Sequence, residues 1–216
     1  RHLDKVLEYP NNKYSEDAML MGAEMAYTAK DYEKALHIYK QLKDKAASME
    51  RRQLAKTGML RSAHMLGNEE EIIFTATDLL ADTKLAPELS NEAHYYRAKA
   101  YLDAGKTDGA MEDLKILAKD TRNVYGAEAK YKVAQIYFDG GQTDKAEQEV
   151  LNYIEVSTPH TYWLARSFVL LADVYMKSGR NLDAKQYLLS LKQNYQADDD
   201  IAGMMESRLE KLKTEN

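Results

Sequence analysis

The sequence predicts an all-α solenoid of about five helix-turn-helix units closed by a C-terminal capping helix. Three observations carry that expectation. The 216 residues include 10 Gly and 3 Pro against 27 Ala and 16 Tyr, a shortage of turn formers that argues against short-stranded β folds. The chain is 44% hydrophobic and 30% charged, enough apolar surface for a sizeable core and too much for wholesale disorder. A motif also recurs along the whole length, and periods of 20–50 residues mark repeat architectures.

The repeat is visible in Asp31–Ala35, Lys106–Ala110, Gln142–Ala146 and Arg180–Ala184, which occupy the same point of a longer pattern. Upstream of the last three lie Ala98–Tyr101, Ala134–Tyr137 and Ala172–Tyr175, a small residue followed three later by Tyr. Gly105, Gly141 and Gly179 then close the first half of each unit, and Asn68–Ile72 after Gly67 is a degenerate copy. Taking Ala35, Ile72, Ala110, Ala146 and Ala184 as equivalent, the period is 36–38 residues.

Each part has a physical role. A small residue lets two antiparallel helices approach closely, while Tyr fills space between layers and carries its hydroxyl to the edge. Gly supplies the left-handed position that stops the first helix. The Asp, Asn or Thr that follows caps the second, and Asn68 with Glu71 has the spacing of a capping box. Asp108 and Asp144 fall in first turns, where negative charge meets the positive helix end.

In order, residues 1–10 read as the second helix of a truncated upstream unit, ended by Pro10, with a turn at Tyr9–Asn12. Five repeats occupy 15–195, as helix pairs over 15–29 and 31–46, 48–66 and 68–83, 88–104 and 107–121, 123–139 and 143–156, 159–178 and 181–195. Thr158 before Pro159 is a helix-start signal, because Pro is tolerated at the first helical position. Asp198–Asp200 suit an acidic start for a charged, solvated capping helix over 198–216.

This pattern resembles the tetratricopeptide repeat (TPR) family along essentially the whole chain. The resemblance is strongest in the last three units, good in the first and weak in the second. It implies a right-handed superhelix. At the family's aromatic position early in the first helix the sequence has Met19, Lys56, His94, Lys130 and Phe168. The Tyr9–Ala18 string is similar to bacterial envelope TPR proteins, and the Thr158–Arg166 run with the Asp-rich tail resembles the C-terminal repeats of large ones. That resemblance implies a periplasmic or envelope setting, with the cytoplasm an alternative.

In such arrays the first helices line the concave face. The inward positions are then Leu20, Glu24 and Tyr27; Thr57, Arg61 and His64; Tyr95, Lys99 and Leu102; Tyr131, Gln135 and Phe138; Val169, Asp173 and Met176. Tyr and Arg are favoured interface anchors. The candidate peptide-binding residues are therefore Tyr27, Arg61, His64, Tyr95, Lys99, Leu102, Tyr131, Gln135, Phe138 and Met176; packing between neighbouring helices is the competing role for the aromatics. Some family members bind acidic C-terminal tails through Lys and Asn at these inner positions. Glu24, Tyr95, Tyr131 and Asp173 stand there instead, so the resemblance does not extend to that clamp.

Other classes find no residues to support them. A net charge of −5 gives a nucleic-acid groove no electrostatic basis. With zero Cys there is no disulfide, thiolate nucleophile or Cys-ligated zinc. His2, His37, His64, His94 and His160 form no paired zinc motif, although His64 and His94 come from adjacent units and can approach. No nucleophile elbow or phosphate-cradling loop is present, so no catalytic residue, metal or cofactor is implied. No apolar run approaches the roughly 18 residues of a membrane helix. The expected function is a non-enzymatic module binding a polypeptide on the concave face. The alternative is a structural C-terminal cap or spacer of a larger scaffold acting through self-association, and an accessory subunit of an enzyme is a third reading.

Overall fold

The computed structural model describes residues 14–156 and 158–214. Among them the chain forms eleven α-helices and no strand: α1 (Ser15–Thr28), α2 (Tyr32–Lys45), α3 (Met49–Leu66), α4 (Glu69–Leu80), α5 (Pro87–Asp103), α6 (Thr107–Leu117), α7 (Val124–Asp139), α8 (Thr143–Ile154), α9 (Thr161–Lys177), α10 (Asn181–Asn194) and α11 (Ile201–Thr214). This is the all-α helical-repeat class expected. The helix expected over 1–10 and the turn at Tyr9–Asn12 lie outside the described residues. The described residues divide into two compact units, one up to Ala110 and one from Met111.

The turn inside each helix pair has one geometry. Gly67, Gly105, Gly141 and Gly179 have φ of 63°, 70°, 75° and 73°, and in the first pair Lys30 takes the same left-handed position at 62°. The next amide reaches back over the turn: Asp31 to the Ala26 carbonyl at 2.9 Å, Asn68 to Ala63 at 3.1 Å, Lys106 to Tyr101 at 2.7 Å, Gln142 to Tyr137 at 2.8 Å and Arg180 to Tyr175 at 2.8 Å. That bond satisfies a carbonyl the helix leaves open, the Schellman arrangement. Asp31, Ser48, Asn68 and Asn123 cap their helices by accepting from the third amide on. Gln142 and Arg180 make no such bond, so α8 and α10 start on the turn geometry alone.

The aligned small residues do what their spacing predicts: Ala35, Ala110, Ala146 and Ala184 are fully buried. In the first unit Met19, Ala23, Leu36, Tyr39, Leu42 and Met59 join one core, and Leu60, Ala63, Ile72, Ala76 and Leu79 a second. In the second unit one core runs from Tyr131 and Val150 through Val169–Ala172 to Leu188. The capping helix α11 joins it through Ile201, Met205 and Leu212, and Arg208 holds Asp173 with two bonds of 2.6 and 2.7 Å.

Five helix ends depart from expectation by two residues or more: α8 ends at Ile154 rather than 156, α11 starts at Ile201 rather than 198, and three others have a visible cause. α4 stops at Leu80 rather than 83, because Asp82 N–H turns back to the Leu79 carbonyl. The Asp78 carbonyl, freed at that end, accepts instead from Lys56 Nζ at 3.0 Å, and the same ammonium holds Asp82 Oδ1 at 2.8 Å. α6 stops at Leu117 rather than 121; Asp120 N–H bonds the Leu117 carbonyl, and Asn123 starts the next helix. α9 starts at Thr161 rather than 159, because Thr158 does not cap it: its hydroxyl donates to the Thr121 carbonyl at 2.8 Å, one repeat upstream.

Candidate functional site

The first helices of the first unit, α1 and α3, enclose an open cavity of about 410 Å³. Leu20, Glu24, Tyr27 and Thr28 come from α1, and Leu54, Thr57, Gly58 and Arg61 from α3. These are i, i+4, i+7 and i+8 on α1 and i, i+3, i+4 and i+7 on α3, so each helix presents one face. The last wall comes from the second helix α2. The Tyr39 ring lies against Gly58, where any side chain would overlap its hydroxyl-bearing end. The missing side chain at Gly58 thus lets a core Tyr reach the cavity. We expect Gly58→Ala to lower the unfolding free energy of the first unit by about 1–3 kcal/mol through overpacking. The loss should shrink in a Tyr39→Leu background; additive losses in urea melts would place the strain elsewhere.

Charge on this face is unevenly satisfied. Arg61 grips Glu92 of α5 with bonds of 2.7 and 2.8 Å, and that carboxylate holds the guanidinium above its usual pKa. Burial, then the Tyr32 phenol, push Tyr27 up; burial, then the Glu24 carboxylate, push Tyr39 up. Both phenols are therefore neutral hydroxyls near neutral pH. Beyond Arg61, His64 stacks on Tyr96 with centroids 4.1 Å apart and planes at 19°. Burial and the Lys99 cation lower its pKa, which keeps the imidazole neutral. Tyr95 packs beside Tyr96 at 5.8 Å, with Lys99 Nζ 5.5 Å from its ring. Leu102 is half-buried further along α5.

The first unit thus brings together Tyr27, Arg61, His64, Tyr95 and Lys99, all named from the sequence. In the second unit Tyr131 is buried rather than presented. Its ring sits 5.7 Å from Trp163 and 5.1 Å from the Arg166 guanidinium, which donates to its hydroxyl at 3.2 Å. Gln135 accepts from Lys132, Phe138 lies 4.9 Å below Lys177 Nζ, and Met176 packs on the core. His64 meets Tyr96, and no group of three or more His, Asp or Glu among the described residues is arranged to hold a metal.

Sequence reasoning missed Tyr39, because it lies on a second helix, and Gly58, whose signal was available: glycine inside a helix is costly and marks a close approach. It also missed the second unit's cavities between α9 and α10. One of about 290 Å³ is lined by Leu164, Phe168, Leu191 and Tyr195, and another of about 410 Å³ by Tyr175, Arg180 and Tyr187. Arg180 stacks on Tyr175 at 3.9 Å and holds Glu147 at 2.9 Å; burial and that carboxylate push the Tyr175 phenol to about 12.

Residues 92–120 match the family profile of the tetratricopeptide repeat. No curated protein matches the chain by sequence. Among solved structures the chain is similar to MamA, with a TM-score of 0.66 at 16% identity over 87% of this chain and 99% of that one. YrrB, a TPR protein with an unusual peptide-binding site, gives 0.65 at 16% identity over 96% and 98%. A putative kinesin light chain of Podosopora anserina, with nearly identical TPR-like repeats, gives 0.56 at 18% identity over 85% and 96%. Identities this low speak to fold alone. No described helix is long and apolar enough to cross a membrane. Residues 92–120 are thus a tetratricopeptide repeat, and the chain around them has the fold of tetratricopeptide-repeat proteins, a class of protein-interaction and scaffold modules.

Proposed function

We propose that the chain is a non-enzymatic interaction module whose first-helix face binds an extended polypeptide, with its main contacts in the first unit. The open cavity between α1 and α3 carries this reading. It joins apolar walls (Leu20 and Leu54) to hydroxyls (Tyr27, Thr28 and Tyr39) and leads to Arg61, His64, Tyr95 and Lys99. Apolar surface orders side chains of a bound segment, while hydroxyls and charged groups take its backbone and polar side chains. The peptide-binding site of YrrB, a protein of the same fold, supports the assignment. Gln135, Phe138 and Met176 would serve the second unit in the same way; buried Tyr131 would support Trp163 and Arg166 rather than touch the peptide.

The immobilised chain should capture peptides from a degenerate decapeptide pool. A Tyr27→Ala/Leu54→Ala variant, folded by circular dichroism, should capture less than about a third as much, the loss of two wall contacts. Equal capture by parent and variant would remove this face from the function.

A further inference from the structure

Glu24 stands on α1 at the mouth of the cavity. It is exposed and has no hydrogen-bond or ion-pair partner among the described residues. The other charged group of the lining, Arg61, is committed to Glu92 through both ends of its fork. The cavity therefore carries one uncompensated negative charge. Around it stand the phenols of Tyr27 and Tyr39, which offer ring faces and neutral oxygens, and the methylene surfaces of Leu20 and Leu54. Its volume of about 410 Å³ leaves room for an entire long side chain.

A carboxylate from a partner would be repelled here, and an apolar side chain would strip water from Glu24 without replacing it. A basic side chain does neither: its stem lies on the leucines, its charge meets Glu24, and its N–H groups find phenol oxygens and ring faces. We propose that this cavity takes a Lys or Arg side chain of the bound polypeptide, with Glu24 as counter-ion and Tyr27 and Tyr39 as walls. The inference rests on the first-helix face being the binding face and names the chemistry of its anchor. The chain's net charge of −5 favours approach of such a basic segment.

The test uses four decapeptide pools, degenerate except for a fixed central Arg, Lys, Glu or norleucine, captured on the full 216-residue chain. The Arg and Lys pools should be captured about fivefold more than the other two, the ratio an exposed ion pair supports. The preference should vanish in Glu24→Gln, whose melting should match the parent because Glu24 has no hydrogen-bond or ion-pair partner among the described residues. It should also weaken on going from low to high salt. Four pools captured equally by the parent, with capture lost in Tyr27→Ala/Leu54→Ala, would overturn the basic anchor and leave the binding face standing. So would a preference that survives Glu24→Gln. Capture absent from every pool, or unchanged by both variants, would overturn the anchor and the face together.

Discussion

Gly126→Ala is expected to destabilise the second unit by about 3 kcal/mol, near the upper end of what overpacking costs. Gly126 is in the first turn of α7, where its amide donates to the capping Asn123 side chain at 2.9 Å. A Cβ added there would fall on the Asp120 carbonyl oxygen and lie 2.7 Å from both the Asp120 carbonyl carbon and the Leu117 carbonyl oxygen. These are backbone atoms. They cannot turn aside as a side chain can, and Asp120 is held by Asn123 Nδ2 on its carbonyl at 2.9 Å. The chain has a single Trp, Trp163, on α9 in the second unit, so its fluorescence follows that unit through a urea melt. The midpoint should fall in Gly126→Ala. A methyl added at Gly203, inside α11, meets nothing within 4 Å, so Gly203→Ala should raise the stability by up to about 1 kcal/mol. An unshifted midpoint in Gly126→Ala would mean that the inter-helix backbone gives way at no cost.

Lys56→Met should cost the first unit about 3 kcal/mol, the low end for breaking a buried ion pair. The Lys56 side chain is 6% exposed, and its ammonium serves the Asp78 carbonyl, the Asp78 carboxylate at 3.0 Å and the Asp82 carboxylate at 2.8 Å. Removing it leaves Asp82, 16% exposed, without its cation, and opens the end of α4. Adding Asp82→Asn should recover part of the loss; no recovery would show that packing of the Lys stem matters more. Burial lowers the Lys56 pKa, but the hydrogen bonds it donates to Asp82 and Asp78 outweigh that and the net direction is up. A raised folded pKa means that this stabilisation is complete below the ordinary Lys value of about 10.4 and is lost as pH climbs through the higher folded value. The gap between wild type and Lys56→Met should therefore be constant through neutral pH and narrow in strong alkali, as read by circular dichroism of urea melts.

The fold was legible because its determinants are local. Gly at the left-handed turn, Asn68 and Asn123 at helix starts and Ala at four of the five close crossings all lie within a few residues of the feature they decide. The helix ends that moved were decided by distant partners: Lys56 from the neighbouring helix finishes α4, and Thr121 one repeat upstream claims Thr158. Lys30 shows the same limit, because a left-handed turn was readable from Gly and invisible at Lys. The candidate site was legible on first helices, where periodicity names the face. Glu92, the partner of Arg61, and Tyr39, which enters through the gap at Gly58, belong to other helices and depend on packing.

Many of the bonds between repeats share one length. Arg51 to Asp17, Arg180 to Glu147, Arg208 to Asp173, Thr158 to Thr121 and His160 to Arg122 span 34, 33, 35, 37 and 38 residues, about one repeat each. Contacts of short sequence separation close quickly. A ribosome adding about 5–20 residues per second completes each such partner within seconds of the last. Within each unit a helix pair can therefore dock on its predecessor while the remainder of the chain is still being made, so the apolar faces of a half-finished unit stay uncovered only briefly.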